Sequence, residues 1–150
     1  MPALDHEYVS SIMERVKRLD PNAKGAWGQM TGEQMLGHVT GVVRYTLGQG
    51  AEMPYKGTFK TRYIYRPLIL NGLVKIPHNV RVPPPKGMKT MPTPHGTVDG
   101  LREALHEYLA RAQAGDLDPP HHPFFGDLGV DGWAKFHYRH FEHHLEQFGL

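Results

Sequence analysis

Hydrophobic residues recur at helical spacing in four segments of the chain. In each segment the apolar side chains stand three or four positions apart, with polar side chains between them. The segments are Asp5 to Leu19, Thr31 to Gly48, Val98 to Gln113 and about Val130 to Phe148. No two segments show the alternation that is typical of paired strands. The pattern therefore predicts an all-α protein, a bundle of four amphipathic helices.

The ends of the predicted helices carry capping residues. Thr31-Gly-Glu-Gln34 has the form of a capping box, in which the two side chains accept hydrogen bonds from each other's backbone amides. That helix should end at Gly48 or Gly50, because glycine readily adopts the left-handed conformation that follows a helix. Thr97 is the expected N-cap of the third helix and Gly115 its end. These signals locate both ends of the second and third helices.

Almost fifty residues, Gly48 to Gly96, connect the second and third helices. The stretch from Pro77 to Pro94 holds six of the thirteen prolines, which excludes a regular helix or a central strand. Only a short helix around Pro67 to Lys75 is expected. So long a connection makes sense if the two helices run parallel, because the chain must then cross the full length of the bundle. The alternative, a flexible linker between two domains, would leave neither half able to bury a core. We therefore expect a single domain over residues 1–150.

Composition narrows the class of protein. The 150 residues carry a net charge of +2 and no block of like charges, which does not indicate a nucleic-acid or membrane surface. The chain has no cysteine, so disulfides, thiolate metal sites and cysteine nucleophiles are excluded. The polar start, Met1 to Ser10, is no secretory signal, and the longest apolar stretch, Pro67 to Ile76, is too short to span a bilayer. We expect a cytoplasmic protein without a membrane partner.

The stretch from Lys56 to Arg66 allows a different interpretation. Aromatic side chains alternate there with basic ones, as in surfaces that bind single-stranded nucleic acid. The stretch is short, however, and the net charge of the chain is low. We therefore interpret it as a solvated loop and expect no nucleic-acid partner.

Histidine is the unusual component of the chain. Four of the eleven histidines, His137, His140, His143 and His144, fall within eight residues of the last helix. At about 100° per residue, His140 and His144 lie ~40° apart, one turn along the face that also carries Trp133, so that face points inward. Two imidazoles at this spacing can bind one cation. His143 lies about 100° from His144 and is worse placed. We expect His137 and His143 to be surface groups or neighbours of the ligands.

A third ligand must come from another element. His38 lies between Met35 and Val42 on the apolar stripe of the second helix, so it also faces inward. Three neutral imidazoles that leave a coordination position open are typical of a catalytic metal site. The residues alone also allow another interpretation, in which His140 and His144 are a chance pair and His38 is a hydrogen-bonded core histidine.

Two stretches of the chain resemble a known superfamily. Thr31-Gly-Glu-Gln-Met-Leu-Gly-His38 is similar to the start of the second helix of the DinB-like (YfiT-like) metal-binding bundles. His122-Pro-Phe-Phe-Gly-Asp-Leu, then Trp133, then Tyr-Arg-His-Phe-Glu-His-His-Leu-Glu-Gln-Phe-Gly, is similar to the tail of one uncharacterised branch of that superfamily. The similarity covers both ends of the chain and is most specific in the C-terminal third.

The resemblance implies a fold and a metal site. The fold is an up-down-down-up four-helix bundle, often dimeric, so we expect a homodimer. The site holds a divalent metal ion, for which we expect zinc or nickel, on one histidine of the second helix and two of the fourth. Those positions are His38, His140 and His144 in this sequence.

The resemblance also implies a class of reaction. Characterised relatives include thiol-dependent transferases and isomerases that use bacillithiol or mycothiol. The enzymatic hypothesis is therefore a metal-activated thiolate that attacks a small electrophilic molecule, with Arg44, Tyr45 and Gln147 as candidates to line the cavity. The alternative hypothesis is a dimeric bundle, metal-stabilised or metal-storing, without enzymatic activity.

The chain departs from the family pattern at two places. Gly129-Val-Asp-Gly132 stands where a capped helix start is expected, which weakens the start of the last helix but not the ligands. Gly37 lowers the helix propensity beside His38 by about 1 kcal/mol relative to alanine, which indicates close packing between helices.

Overall fold

Five α-helices make up most of the regular structure of the computed structural model, which describes residues 2–150. A π-helical turn leads directly into the third of them. No strand occurs in residues 2–150, where the only β-structure is two isolated bridges. The prediction of an all-helical protein is therefore confirmed. The elements are α1 His6–Val16, α2 Gly32–Thr46, the π-turn Thr61–Tyr65, α3 Arg66–Leu70, α4 Val98–Ala114 and α5 Gly129–Gln147.

Helix α1 is shorter than the sequence predicted. Asp5 caps its start by accepting a hydrogen bond from the Tyr8 backbone N–H at 2.8 Å. The helix ends at Val16, and the N–H groups of Arg18 and Leu19 then bond to carbonyls three residues back, which forms a tighter turn. Leu19 still packs against the core. Its apolar character therefore extended the predicted helix beyond the real end.

The capping residues of α2 and α4 act as predicted. The Thr31 hydroxyl accepts from the Gln34 backbone N–H at 3.3 Å, and the Gln34 side chain accepts from the Thr31 N–H at 3.0 Å. Thr97 caps α4 by accepting from the backbone of its third residue at 2.9 Å. Gly115 ends that helix in the left-handed conformation, with a φ of 73°. Helix α5 starts at Gly129 without a side-chain cap, in agreement with the departure seen in the sequence.

The connection between α2 and α4 corrects two predictions. Residues 77–94 contain no helix or strand, as their prolines predicted. The short helix, however, covers residues 59–70 rather than Pro67 to Lys75. Much of the stretch from Lys56 to Arg66 is therefore helical rather than a loop, while most of its residues are exposed to solvent as expected. The helix is held in place because Ile69 and Leu70 at its end are buried against α5.

Helices α1 and α5 run in the same direction. The Leu4 backbone N–H, just before α1, donates to the Ala134 carbonyl near the start of α5 at 2.9 Å. Near the other end of α1, the Arg15 guanidinium donates to the Leu150 carbonyl at 3.0 Å. The two helices therefore lie side by side over the length of α1.

Helices α2 and α4 also run in the same direction, opposite to α5. Near the start of α2, Gly37 lies against the backbone of His95 and Gly96, just before α4. At the far end the Arg111 guanidinium donates to the Leu47 carbonyl at 2.7 Å. This parallel course explains the long connection, because the chain must return to the starting end. A Cβ on Gly37 would lie 2.5 Å from the His95 backbone, so the glycine is needed for close packing.

Two clusters of buried side chains form the core. The larger lies among α1, α2, α4 and α5. The smaller packs α3 and the loop before α5 against the first half of α5. None of the helices in residues 2–150 is long and apolar enough to cross a bilayer. The smaller cluster consists of Ile69, Leu70, Phe125, Leu128, Trp133 and Phe136.

Candidate metal centre

Three histidines from α2 and α5 meet at one point. The His140 Nε2 atom lies 3.0 Å from the His38 Nε2 and 3.2 Å from the His144 Nε2. One ring nitrogen of each residue lies within 4.8 Å of the other two. The antiparallel course of α2 and α5 brings His38 alongside one turn of α5. The three histidines named from the sequence therefore form one group that could hold a metal ion.

The spacing of the ring nitrogens fits a divalent ion. Zinc–nitrogen bonds of about 2.0–2.1 Å place two tetrahedral ligands about 3.3–3.4 Å apart. The observed 3.0 Å and 3.2 Å are close to this separation. Without a cation, only N–H···N hydrogen bonds could make such distances favourable, and the single His140 Nε2 would have to serve both neighbours. A shared cation satisfies all three lone pairs at once.

Gln147 sets the protonation of the His144 ring. Its amide N–H donates to the Trp27 carbonyl at 2.8 Å, so its Oε1 is left to accept from the His144 Nδ1 at 2.7 Å. The proton then sits on Nδ1, and Nε2 presents its lone pair towards His140. An acceptor behind the ring is the usual support of a metal-ligating histidine. Gln147 thus contacts the Nδ1 side of a candidate ligand, and the Nε2 side faces the other two histidines.

Burial keeps the three imidazoles neutral. It lowers the pKa of His38 to about 4 and the pKa of His144 to about 3. The pKa of His140 falls well below 6.5, first through burial and then through the neighbouring histidines. The His140 ring stacks on Phe136 with centroids 5.3 Å apart, and its Nδ1 has no hydrogen-bond partner. Because metals bind the neutral ring, the group is ready to accept an ion at neutral pH.

Aromatic rings from three segments lie beside His38, His140 and His144, which together form the histidine triad. Trp27 and His78 stack with centroids 3.7 Å apart and an angle of 5° between the rings. His143 packs against both of them and against His144. His38 is partly exposed, whereas the other two triad members are each 7% exposed. No sequence pattern predicted a role for Trp27 or His78, because both lie in loops without periodicity.

His137 corrects the expectation of a surface group, because it is fully buried in the core. Its Nε2 lies 3.2 Å from the Thr46 hydroxyl, and its ring packs against Tyr108. Burial lowers its pKa to about 3. His137 stands three residues before His140 in α5, so helical spacing places it near the same inward face. By contrast, His143 does contact the triad, as expected.

Arg44 and Tyr45 interact away from the triad. The Arg44 guanidinium donates to the Gln49 side chain at 3.0 Å, and the Tyr45 hydroxyl donates to the His121 carbonyl at 2.7 Å. Both residues stand at the far end of α2 from His38. Of the three residues expected to line a cavity, only Gln147 touches the triad.

His122, the first residue of the stretch that resembles the superfamily tail, is a further buried histidine. Its Nδ1 accepts hydrogen bonds from the backbone N–H groups of Phe124 and Phe125, both at 3.1 Å. Its ring stacks on Phe125 and packs edge-on against Phe136. Burial lowers its pKa to about 3. These contacts organise the loop before α5.

Comparison with known proteins gives a family but no activity. The family model described as "Protein of unknown function (DUF1569)" matches residues 2–149. No curated protein and no solved structure matches the chain. The DUF1569 family lies in a DinB/YfiT-like superfamily, which agrees with the resemblance seen in the sequence. Since the match covers nearly the whole chain, the protein belongs to the DUF1569 family.

Proposed function

We propose that the protein binds one divalent metal ion on His38, His140 and His144 and presents it to a small molecule. The convergence of three Nε2 atoms carries this proposal, with 3.0 Å and 3.2 Å between neighbours. Among the histidine and acidic side chains of residues 2–150, these three histidines form the group whose ligand atoms are close enough to hold one metal ion. Three protein ligands leave at least one coordination position for another molecule, as in catalytic sites.

Zinc and nickel are the ions that we expect at this site. Three neutral imidazoles suit both ions, and they also suit copper and iron. Affinity order does not choose among these metals, because availability and geometry decide which ion a protein holds. Metal analysis of the purified protein therefore identifies the ion.

The site belongs, in this proposal, to an up-down-down-up four-helix bundle that forms a single domain over residues 1–150. The hydrogen bonds that join α1 to α5, and the contacts that join α2 to α4, support this topology. Each of α1 and α2 packs against both α4 and α5. The metal would then lie inside the bundle, between two antiparallel helices.

The reaction that we propose is thiol transfer to, or isomerisation of, a small molecule. A bound divalent ion supplies Lewis acidity, which lowers the pKa of a water or thiol that it binds. The residues of the chain orient the metal ligands and provide a surface for the small molecule. Gln147 holds the His144 ring in the tautomer that can ligate, and the stacked rings of Trp27 and His78 offer a flat surface beside the triad. The partial exposure of His38 gives a small molecule access.

A non-enzymatic, metal-stabilised homodimer is the second proposal. Phe59 and Leu73, on the connection between α2 and α4, are 72% and 75% exposed. Large apolar side chains that are this exposed suit a surface that a second copy of the chain covers. Sedimentation velocity on the wild type and on a Phe59→Ser, Leu73→Ser double variant would test the dimer. A monomeric wild type would contradict it.

Metal analysis tests the site. Purified protein, stripped with a chelator and titrated with zinc and nickel, should bind one ion per chain. His140→Ala should abolish this stoichiometric binding, since it removes the ligand shared by both short contacts. His106→Ala, which removes an exposed histidine on α4, is the matched control and should bind like the wild type. Equal metal content in His140→Ala and the wild type would exclude the site.

Turnover assays test the reaction separately. A panel of low-molecular-weight thiols and electrophiles is incubated with the metal-loaded protein and with His38→Ala. Activity in the wild type that exceeds the His38→Ala rate supports the enzyme. If a fully loaded protein shows no turnover above that variant, the non-enzymatic bundle is the better description.

A further inference from the structure

A groove separates the helical residues 59–70 from α5, on a different side of α5 from the triad. Its volume is about 390 Å³, within the range of small-molecule sites. Its lining combines basic side chains with apolar ones and includes no acidic residue. The lining residues are Arg62, Tyr63, Arg66, Pro67, Leu70, Asn71 and Lys135.

Basic side chains line both sides of this groove, and Arg139 lies beside it. Arg62 and Arg66 stand four residues apart on one side, and Lys135 and Arg139 stand four residues apart on α5. All four are half-buried. None of them forms an ion pair with a carboxylate in residues 2–150. The ion pairs of that part of the chain are Arg15–Glu142, Lys17–Glu14, Lys75–Glu146, Lys86–Glu52, His95–Glu33, Arg102–Asp99 and Arg111–Asp116.

Arg139 is the most unusual of these four residues. Its Nε atom is buried and has no hydrogen-bond partner. Its guanidinium lies against Gly72, where even a single added methyl group would collide with it, and 5.0 Å from the centroid of the Tyr138 ring. A buried guanidinium nitrogen without an acceptor is costly unless a ligand satisfies it. Gly72 follows Asn71, which lines the groove, so this unsatisfied nitrogen lies near the groove's end.

From these contacts we propose that the groove binds a small oxyanion, a phosphate or carboxylate carried on an apolar or aromatic body. Guanidinium groups match the geometry of both anions. Tyr63, Pro67 and Leu70 supply the apolar wall for the rest of the molecule. The small volume of the groove and the low net charge of +2 favour a small molecule over a nucleic-acid strand.

This groove is separate from the proposed metal site. At about 100° per residue, Arg139 and Lys135 point ~100° and ~140° away from His140 around the axis of α5. The α3 segment, rather than α2, forms the opposite wall. Binding in the groove should therefore occur with or without metal.

Phenyl phosphate and benzoate are suitable probes, with phenol as the neutral control. Isothermal titration of the full chain, with and without added zinc, measures their binding. The double variant Arg62→Gln, Lys135→Gln removes two groove charges whose side chains form no ion pair or hydrogen bond with another side chain in residues 2–150. Arg18→Gln, Lys24→Gln makes the same change in net charge on exposed residues elsewhere and is the matched control. Comparing the two probes distinguishes a phosphate from a carboxylate ligand.

We expect at least one anionic probe to bind, and the groove variant to weaken it about tenfold or more while the control variant does not. Circular dichroism spectra of both variants should match the wild type. The proposal is wrong if phenol binds as well as the anions, if binding requires zinc, or if both variants weaken it equally. It is also wrong if neither probe binds but an oligothymidylate does and loses affinity in the groove variant, because the groove then serves nucleic acid.

Discussion

At the scale of single residues, Gln147 determines which ring nitrogen of His144 carries the proton. Its amide is oriented by the Trp27 carbonyl, and that orientation places the proton of His144 on Nδ1. The position of the Trp27 carbonyl therefore influences whether the His144 Nε2 has a free lone pair for a metal ion. Trp27 also stacks on His78, so the same residue contributes to the surface beside the site.

Replacing Gln147 should weaken metal binding without removing a ligand. Gln147→Met, which keeps the size but lacks an acceptor for the His144 N–H, should lower metal affinity by roughly 10- to 100-fold. Gln147→Glu keeps the acceptor and should retain more of the affinity. Competition with a chromophoric chelator measures both. Equal losses in the two variants would mean that Gln147 acts through packing alone.

His122 should make the fold sensitive to acid. Its pKa is about 3 in the folded protein and about 6.5 in the unfolded chain, so the unfolded state binds more protons between these values. The free energy of unfolding should therefore decrease as pH falls below about 6.5, by up to about 1.4 kcal/mol per pH unit from this residue. Protonation would also remove the acceptor for the N–H groups of Phe124 and Phe125.

Urea unfolding of metal-free protein between pH 7 and pH 4 measures this dependence. His122→Asn keeps an acceptor near the Nδ1 position but does not titrate, so its stability should vary less with pH than that of the wild type. Identical slopes in the two proteins would show that other buried histidines account for the acid sensitivity.

At the scale of elements, two glycines of α2 should respond in opposite ways to the same substitution. Gly37→Ala places a Cβ 2.5 Å from the His95 backbone, so α2 and the start of α4 must separate. We expect a loss of about 1–3 kcal/mol in the free energy of unfolding. Gly41→Ala meets nothing within 4 Å and should gain up to about 1 kcal/mol from helix propensity.

Thermal and urea unfolding of both variants provide the measurement, and Gly41→Ala is the control for helix propensity. Metal affinity should also fall in Gly37→Ala, because His38 is the next residue. A stabilised Gly37→Ala protein would show that the contact with His95 is not required.

The sequence predicted those features of the helices that depend on interactions between neighbouring residues. Thr31, Thr97 and Gly115 act on their own helix ends, so their residue types were sufficient. The histidine pair of α5 followed from helical periodicity in the same way. The helix at residues 59–70 and the stack of Trp27 on His78 depend instead on contacts between distant segments, which no local pattern contains.

At the scale of the whole molecule, a metal ion would join α2 to α5. An ion that binds only the folded chain raises the free energy of unfolding, by about 2.7 kcal/mol when free metal is 100 times its dissociation constant. Adding zinc or nickel should therefore raise the unfolding midpoint of the wild type and of His106→Ala. His38→Ala should show little change. A shift of equal size in all three proteins would place the stabilising ion elsewhere.

The contact between His38 and His140 closes 102 residues of chain. Closing so long a segment costs conformational entropy before the contact offers any stabilisation, whereas the turns within each helix form from neighbouring residues. The triad should consequently assemble late in folding, after α2 and α5 have docked. A nascent chain would then hold at most the weak pair His140 and His144, and loading with metal would follow folding rather than nucleate it.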